Sequence, residues 1–249
     1  MLFRATVRYD GAPFAGWQLQ PGRRTVQGDI EAALARIAGT PVRIQGAGRT
    51  DAGVHALGQV FSGEWPGTPP ERLRHALSSM LSPDIRITEF EMAPPGFNAR
   101  FSAKAKRYAY AMDFAREPDP FSARYAWHVP YAIDFDRIRA CLPVLHGTHD
   151  FAGFQSAGSQ MQTTVRTIYD ISLHRGGITG PLDSDTLWRL EFYGDAFLYK
   201  MVRNITGTLI EIGRGRFDAS FIEEALARGG PFRGHCAPPH GLALVRVEY

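Results

Sequence analysis

Residues 48–56 read GRTDAGVHA and place one carboxylate, Asp51, between Gly48 and Gly53, with Arg49 and His55 beside it. An ionised carboxylate at such a bend can serve as a nucleophile, a base or a metal ligand. It can also simply tie a turn or cap a helix, the commoner use of an Asp so placed. Arg49 is equally open: a surface charge, or a cation that keeps a carboxylate ionised. Two familiar glycine motifs fail here. Gly46 and Gly48 could open a dinucleotide fingerprint, but its third glycine would fall on Asp51, whose charge repels a pyrophosphate. Gly48 and Gly53 have P-loop spacing, yet Val54 and His55 replace the Lys and Ser/Thr that the motif needs. Asp51 and His55 could share a metal on one helical turn. Gly53 between them argues against that turn, no HxH, HExxH or DxD cluster adds ligands, and no metal is expected.

Two further groups carry chemistry. Lys104, Lys106 and Arg107 interleave with Tyr108 and Tyr110. On a strand the two tyrosines share a face, and rings beside cations can stack a base and hold its phosphates. Two core tyrosines with solvated basic neighbours fit that segment equally well. In residues 196–212, Lys200, Arg203, Asn204 and Gly207 lie at i, i+3, i+4 and i+7 of an expected helix, so they form one face. Gly207 leaves a gap there through which a ligand or a backbone can come close. An ordinary solvent face more often carries Glu/Lys pairs than Asn and Gly. Arg23 and Arg24 follow an aromatic loop and could reach phosphate. Six further histidines (128, 146, 149, 174, 235 and 240) show no metal spacing.

The elements that must position these groups follow from apolar periodicity. Residues 2–9 alternate as a strand. Val26, Ile30, Leu34 and Ile37 have helical spacing, closed by Gly39. Residues 41–47 and 57–65 are expected strands on either side of the Asp51 run. Residues 68–71, TPPE, form a capping box that opens a helix through Leu73, Ala76, Leu77, Met80 and Leu81. Residues 84–92 are a strand. The second half repeats this order. It has a strand at 105–114, an extended stretch at 125–129 and a helix capped by Asp134 with Pro143 inside it. Strands follow at 165–173, with Val165, Thr167, Tyr169, Ile171 and Leu173 on one face, and at 187–193. Helices at 196–212 and 221–228 and a last strand at 241–249 complete it. Two tandem βαββαβ halves, 1–103 and 104–249, predict an α+β fold with largely antiparallel sheets and a cleft between the halves, a favoured place for a ligand. Residues 10–24 and 147–162 are glycine- and aromatic-rich stretches too long for ordinary connectors.

At 249 residues and 44% hydrophobic, the chain can build two real cores. No apolar stretch approaches the ~20 residues that span a bilayer, and the first residues alternate instead of forming a signal-peptide core, so a cytoplasmic location is expected. Cys141 and Cys236 supply neither a disulfide framework nor a zinc pattern. A net charge of +3 implies no general polyanion-coating surface. Of the 28 cationic residues only Lys104, Lys106 and Lys200 are Lys, leaving 25 Arg. Arg suits bidentate phosphate contacts and stacking, although genomic composition or growth at high temperature produces the same bias.

Five runs in this order resemble the TruA family of tRNA pseudouridine synthases. They are YDG at 9–11 with GWQ at 16–18, GRTDAGVH at 48–55, ARFSA at 99–103, KRYAY at 106–110 and MVRN at 201–204. The resemblance covers essentially the whole chain. It implies a pseudouridine synthase fold and a homodimer working without metal or organic cofactor. The implied reaction converts uridine to pseudouridine on the 3′ side of the tRNA anticodon stem–loop. Asp51 takes the place of the catalytic aspartate, Tyr108 that of the active-site tyrosine, and Arg203 that of the arginine paired with the aspartate. Arg49 matches the arginine that helps to displace the target base, and Leu242 falls in the segment that supplies an apolar wall. Arg23, Arg24, Lys104, Lys106 and Lys200 are the expected further RNA contacts. The pattern departs at Tyr199 and Lys200, which bears on the RNA contacts there and not on the reaction.

The chemistry fits those residue types. The C1′–N1 glycosidic bond breaks and a C1′–C5 bond forms, C5 loses a proton and N1 gains one, and nothing is oxidised. A carboxylate can attack C1′ or C6 of the base, and either route starts from its ionised form. A uridine in a duplex must first leave its stack, which costs a few kcal/mol. Two other functions share some of these features: an RNA-binding module that needs no Asp51, and a metal-dependent phosphoesterase built on Asp51 and His55.

Overall fold

A computed structural model describes residues 1–158, 163–178 and 185–249. Tertiary contacts divide the chain into two compact units, Met1–Lys104 with Ala243–Tyr249, and Ala105–Leu242.

The first unit starts with β1 (Leu2–Tyr9), whose alternation buries Phe3, Ala5, Val7 and Tyr9. Helix α1 (Val26–Ala38) is capped by Thr25, whose side chain accepts from the Gly28 N–H. It stops at Gly39, which takes the left-handed conformation at φ 70° and donates to the Ala35 carbonyl. Strands β2 (Ile44–Gly46) and β3 (His55–Glu64) pair antiparallel and so bracket the Asp51 run. Helix α2 (Leu73–Met80) and strand β4 (Ile85–Met92) complete the βαββαβ order. Strand β1 lies between β3 and β4, antiparallel to both. The core holds Phe3, Trp17, Ile30, Leu34, Phe61, Leu73, Leu77 and Ile85.

The capping box at residues 68–71 does not open α2. That helix begins at Leu73 after Arg72, with no side-chain cap. Pro70 disfavours a helical conformation at Pro69, and the turn is made instead by the Leu73 N–H donating to the Pro70 carbonyl. The buried pair Leu73 and Leu77, four residues apart, fixes where the helix lies.

The second unit is built on β5 (Ala105–Asp113), β6 (Trp127–His128), α3 (Phe135–Leu145), β7 (Gly147–Asp150), β8 (Val165–Arg175), β9 (Leu187–Gly194), α4 (Met201–Gly213) and α5 (Ser220–Arg228). Its sheet runs β5-β9-β8-β7, antiparallel throughout, and β6 adds a short parallel pairing at the end of β5. Asp134 caps α3 as expected, accepting from the Asp136 and Arg137 N–H groups, and Pro143 sits near its end.

Three expectations change in this unit. In β8 the buried residues are Arg166, Ile168 and Ile171, whereas Val165 and Tyr169 are exposed. The register against β9 shifts between Ile168 and Asp170, so Tyr169 is the extra residue and the alternation changes phase there. Helix α4 begins at Met201, not at 196. Lys200 before it adopts φ 59°, ψ 9°, the only non-glycine residue with positive φ among the described residues. Leu198, which extends the apolar spacing of the helix, is buried from a loop instead. The long stretch at 147–162 contains β7 and a 3₁₀ turn, Ala152–Phe154; its residues 159–162 lie outside those described.

The last strand, β10 (Leu242–Glu248), runs parallel to β3, pairing Ala243 with His55 and Leu244 with Ala56. The sequence division at residue 103 placed this strand in the second half. Tertiary contacts place its residues from Ala243 onward in the first unit, where it pairs with the start of β3. Gly58 is needed there, because a Cβ on it would stand 2.5 Å from the Val245 carbonyl oxygen.

Candidate active site

Asp51 lies on the eight-residue connection between β2 and β3, and a second loop, residues 10–18, clasps that connection. The Trp17 N–H donates to the Thr50 carbonyl at 3.0 Å, and the Tyr9 hydroxyl shares a 2.8 Å hydrogen bond with the Thr50 hydroxyl. Burial pushes the Tyr9 phenol well above its ordinary range, so Tyr9 is a structural, neutral group. The Gln59 amide donates to the Gly48 carbonyl. Gly11 and Gly16 let the two loops touch. A Cβ on Gly11 would meet the Val54 carbonyl oxygen at 2.0 Å. Gly16, at φ 99°, has the Thr50 carbonyl oxygen 2.6 Å from the same position.

Asp51 itself is half-buried, and its carbonyl accepts from the Val54 N–H in the turn around Gly53, which has φ 79°. Arg49 is exposed and donates to the Gln18 side chain at 3.1 Å. His55 is buried, and its Nδ1 accepts from the Gly11 N–H at 3.0 Å, with an Asp10 oxygen 3.2 Å away. Its lone pair therefore serves the loop clasp. No group of three or more metal-ligating side chains occurs among the described residues. Sequence reasoning gave no structural role to the residues that hold this loop: Gln18 and Thr50 lie within the singled-out runs, and Gln59 carries no signal of its own.

Tyr108 and Arg203 belong to the second unit. Tyr108, on β5, is 9% exposed and meets the Phe197 ring edge-on at 5.2 Å. Arg203 lies in the first turn of α4 and is also 9% exposed. A strap, residues 235–238, fixes it from both ends. The Arg203 Nε donates to the Ala237 carbonyl at 2.8 Å, and the Ala237 N–H returns a 3.1 Å bond to the Arg203 carbonyl. The strap lies directly on α4 at Gly207, where a Cβ would come within 1.8 Å of the His235 carbonyl oxygen. The buried Tyr110 hydroxyl donates to the Pro238 carbonyl at 2.7 Å, and Trp127 stacks on His235. Burial raises the Tyr110 phenol well above its ordinary range, against the opposing charge of Arg203. Burial also lowers His240, against a backbone hydrogen bond at Ala126, and Arg203 lowers it further. Tyr110 and His240, beside Arg203, are thereby held neutral at pH 7.

The helix face expected to be functional is therefore mostly structural. All thirteen residues of α4 are buried. Asn204 is fully enclosed and its amide donates to the Phe154 carbonyl and the Ser156 hydroxyl. The gap at Gly207 admits a backbone, one of the two uses its spacing allowed. Leu242 follows the 3₁₀ turn Pro239–Gly241 and is buried. Lys104 is exposed and Lys106 half-buried, while the Lys200 ammonium lies 5.0 Å from the Tyr199 ring. Arg23 is exposed. Arg24 holds its own unit together, contacting Asp29, Asp84 and Ser82 and lying over the Phe14 ring.

The family profile described as tRNA pseudouridine synthase matches residues 5–102 and 143–249, both the Asp51 loop and the Arg203 helix. The chain belongs to that family. Among curated members of the tRNA pseudouridine synthases, one from Geobacillus sp. strain WCH70, named tRNA pseudouridine synthase A, is 42% identical over 99% of this chain and 97% of its own. Proteins of the same name from Lacticaseibacillus casei strain BL23 and Solidesulfovibrio magneticus are 42% and 43% identical, over 99% of this chain and 99% and 90% of theirs. As a tRNA pseudouridine synthase family member the chain is an isomerase, with an α+β fold built on largely antiparallel sheets. Among the described residues no helix is long and apolar enough to cross a membrane.

Proposed function

We propose that this isomerase converts uridine to pseudouridine on the 3′ side of the tRNA anticodon stem–loop, with Asp51 as the nucleophile on a flipped uridine. The observation that carries this is the family match running through the Asp51 loop, together with the clasp that fixes that loop through Thr50. On attack by Asp51 at C1′, N1 leaves and C5 of the same base then displaces the carboxylate from C1′; on attack at C6, the C1′–N1 bond breaks, C5 bonds to C1′, and the Asp51–C6 bond breaks again. The C5 proton is lost and N1 is protonated, so the product has the mass of the substrate. Tyr108 stacks the target base, with Phe197 bracing its ring. Arg203 is the cationic partner that keeps the aspartate ionised, aimed by the Ala237 carbonyl. Arg49, exposed beside Asp51, fills the gap left by the flipped base, and Leu242 supplies the apolar wall. Lys104, Lys106, Lys200 and Arg23 contact the RNA backbone. The protein acts in the cytoplasm as a homodimer and uses neither a metal nor an organic cofactor.

The test is incubation with unmodified tRNA in EDTA, followed by nucleoside analysis. The expected result is a uridine isomer of unchanged mass in the anticodon arm, formed at the same rate with and without chelator. Absence of the isomer would end the proposal, and loss of activity in EDTA would favour a metal-dependent reaction instead.

A further inference from the structure

The ARFSA run at residues 99–103 is absorbed by none of the roles above. It forms a turn that displays Phe101, 74% exposed, with the Arg100 guanidinium 5.3 Å from its ring. Single exposed apolar side chains are common on protein surfaces, so exposure alone decides nothing. The construction of the turn decides more. The Asn98 carboxamide oxygen accepts from the Arg100 and Phe101 N–H groups at 2.9 and 3.1 Å. The Asn98 N–H donates to the Ser102 hydroxyl, and the Ser102 N–H donates back to the Asn98 carbonyl. Three more bonds fasten the turn to its unit. The Asn98 amide donates to Gln45 on β2, the Ala99 N–H to Ser62 on β3, and the Tyr249 hydroxyl to the Ala99 carbonyl. Ala99 is fully buried. A segment so fixed at its base, with its two largest side chains left in water, has the form of a pedestal. Its rigidity means that little ordering remains when a partner settles on the ring.

The partner's chemistry follows from charge. Residues 93–112 carry Arg100, Lys104, Lys106 and Arg107 and no carboxylate, and Arg100 and Lys104 are exposed on the pedestal's own unit. A lone aromatic ring beside a guanidinium suits the face of an unpaired base with its phosphate nearby. A seam between two copies of the chain would instead call for a contiguous apolar patch, and Arg100, Ser102 and Lys104 interrupt one. We propose that Phe101 and Arg100 form a docking platform that stacks an unpaired base of the tRNA, apart from the uridine being isomerised. This rests on tRNA being the substrate.

The experiment compares wild type, Phe101→Ala, Phe101→Trp and Arg100→Ala for binding to unmodified tRNA, single-turnover rate at saturating protein, and sedimentation. Phe101→Ala is expected to weaken binding about 5- to 100-fold, the loss of one stacked base, and Phe101→Trp to stay within about twofold of wild type. Arg100→Ala should weaken binding and flatten its salt dependence. The saturated rate and melting temperature should not move. Unchanged affinity in Phe101→Ala would overturn the platform, and so would a shift in sedimentation, which would make the ring part of a protein seam. Failure of the synthase proposal would look different: no pseudouridine from wild type, with tRNA binding still sensitive to Phe101.

Discussion

Asp51 sits on a loop held on both sides of it. Thr50 on one side is fixed by Tyr9 and Trp17, and Val54 on the other packs against Gly11. The types and order of Gly48, Asp51 and Gly53 were enough to single this loop out, but Asp51 could not be told from a turn carboxylate until the family resemblance was weighed. Arg203 was legible as part of a helix face. The group that aims it was not, because a backbone carbonyl at Ala237 leaves no trace in residue type. Tyr110 shows the same limit: strand alternation marks it as buried, and nothing marks its hydroxyl as the anchor of the strap. Tyr110→Phe removes the bond to the Pro238 carbonyl, a loss of about 1 kcal/mol in stability. If the strap aims Arg203, kcat should fall by more than that loss explains, with KM for tRNA unchanged. Equal loss of rate and folded fraction would reduce Tyr110 to a packing residue.

Among the elements, α4 and the strap act together. Gly207→Ala places a methyl group within 1.8 Å of the His235 carbonyl oxygen, so either the strap lifts or the helix shifts. The expected result is a destabilisation of about 1–3 kcal/mol by denaturant titration, with the loss of turnover exceeding the loss of folded protein. Strand β5 ends on a buried carboxylate, Asp113. Burial alone would raise it, but donors at Ser122, Thr186 and the Ala115 N–H, with His128 nearby, hold it below its ordinary value. Its stabilisation is therefore fully present above the ordinary carboxylate pKa, near ~4, and is lost as pH falls through the lower folded value. Asp113→Asn should cost about 1–3 kcal/mol at pH 7, and the gap from wild type should close below about pH 4. A gap constant with pH would show that the charge contributes nothing. Most element positions were legible from periodicity. The exceptions each have a local cause: paired prolines before α2, the extra residue at Tyr169 in β8, and the left-handed Lys200 before α4.

At the scale of the whole molecule, the βαββαβ order expected of the first half appears in the first unit, whereas the second unit adds β6 and β7 to the order expected of it. The return of β10 to the first unit was not visible in the sequence. Strand periodicity reveals a face to be buried but not which neighbour will accept its hydrogen bonds, and here the neighbour, β3, lies almost two hundred residues earlier. That return means the two units are joined twice, at residues 104–105 and 242–243, the first crossing just before the Tyr108 strand and the second beside Leu242. The nucleophilic role proposed for Asp51 is the centre of this account. Its most direct test is to assay Asp51→Ala and wild type for pseudouridine formation on unmodified tRNA while measuring tRNA affinity on the same samples. The predicted result is no isomer from Asp51→Ala with affinity retained within about tenfold, or ~1.4 kcal/mol; pseudouridine formed by Asp51→Ala at the wild-type rate would contradict it.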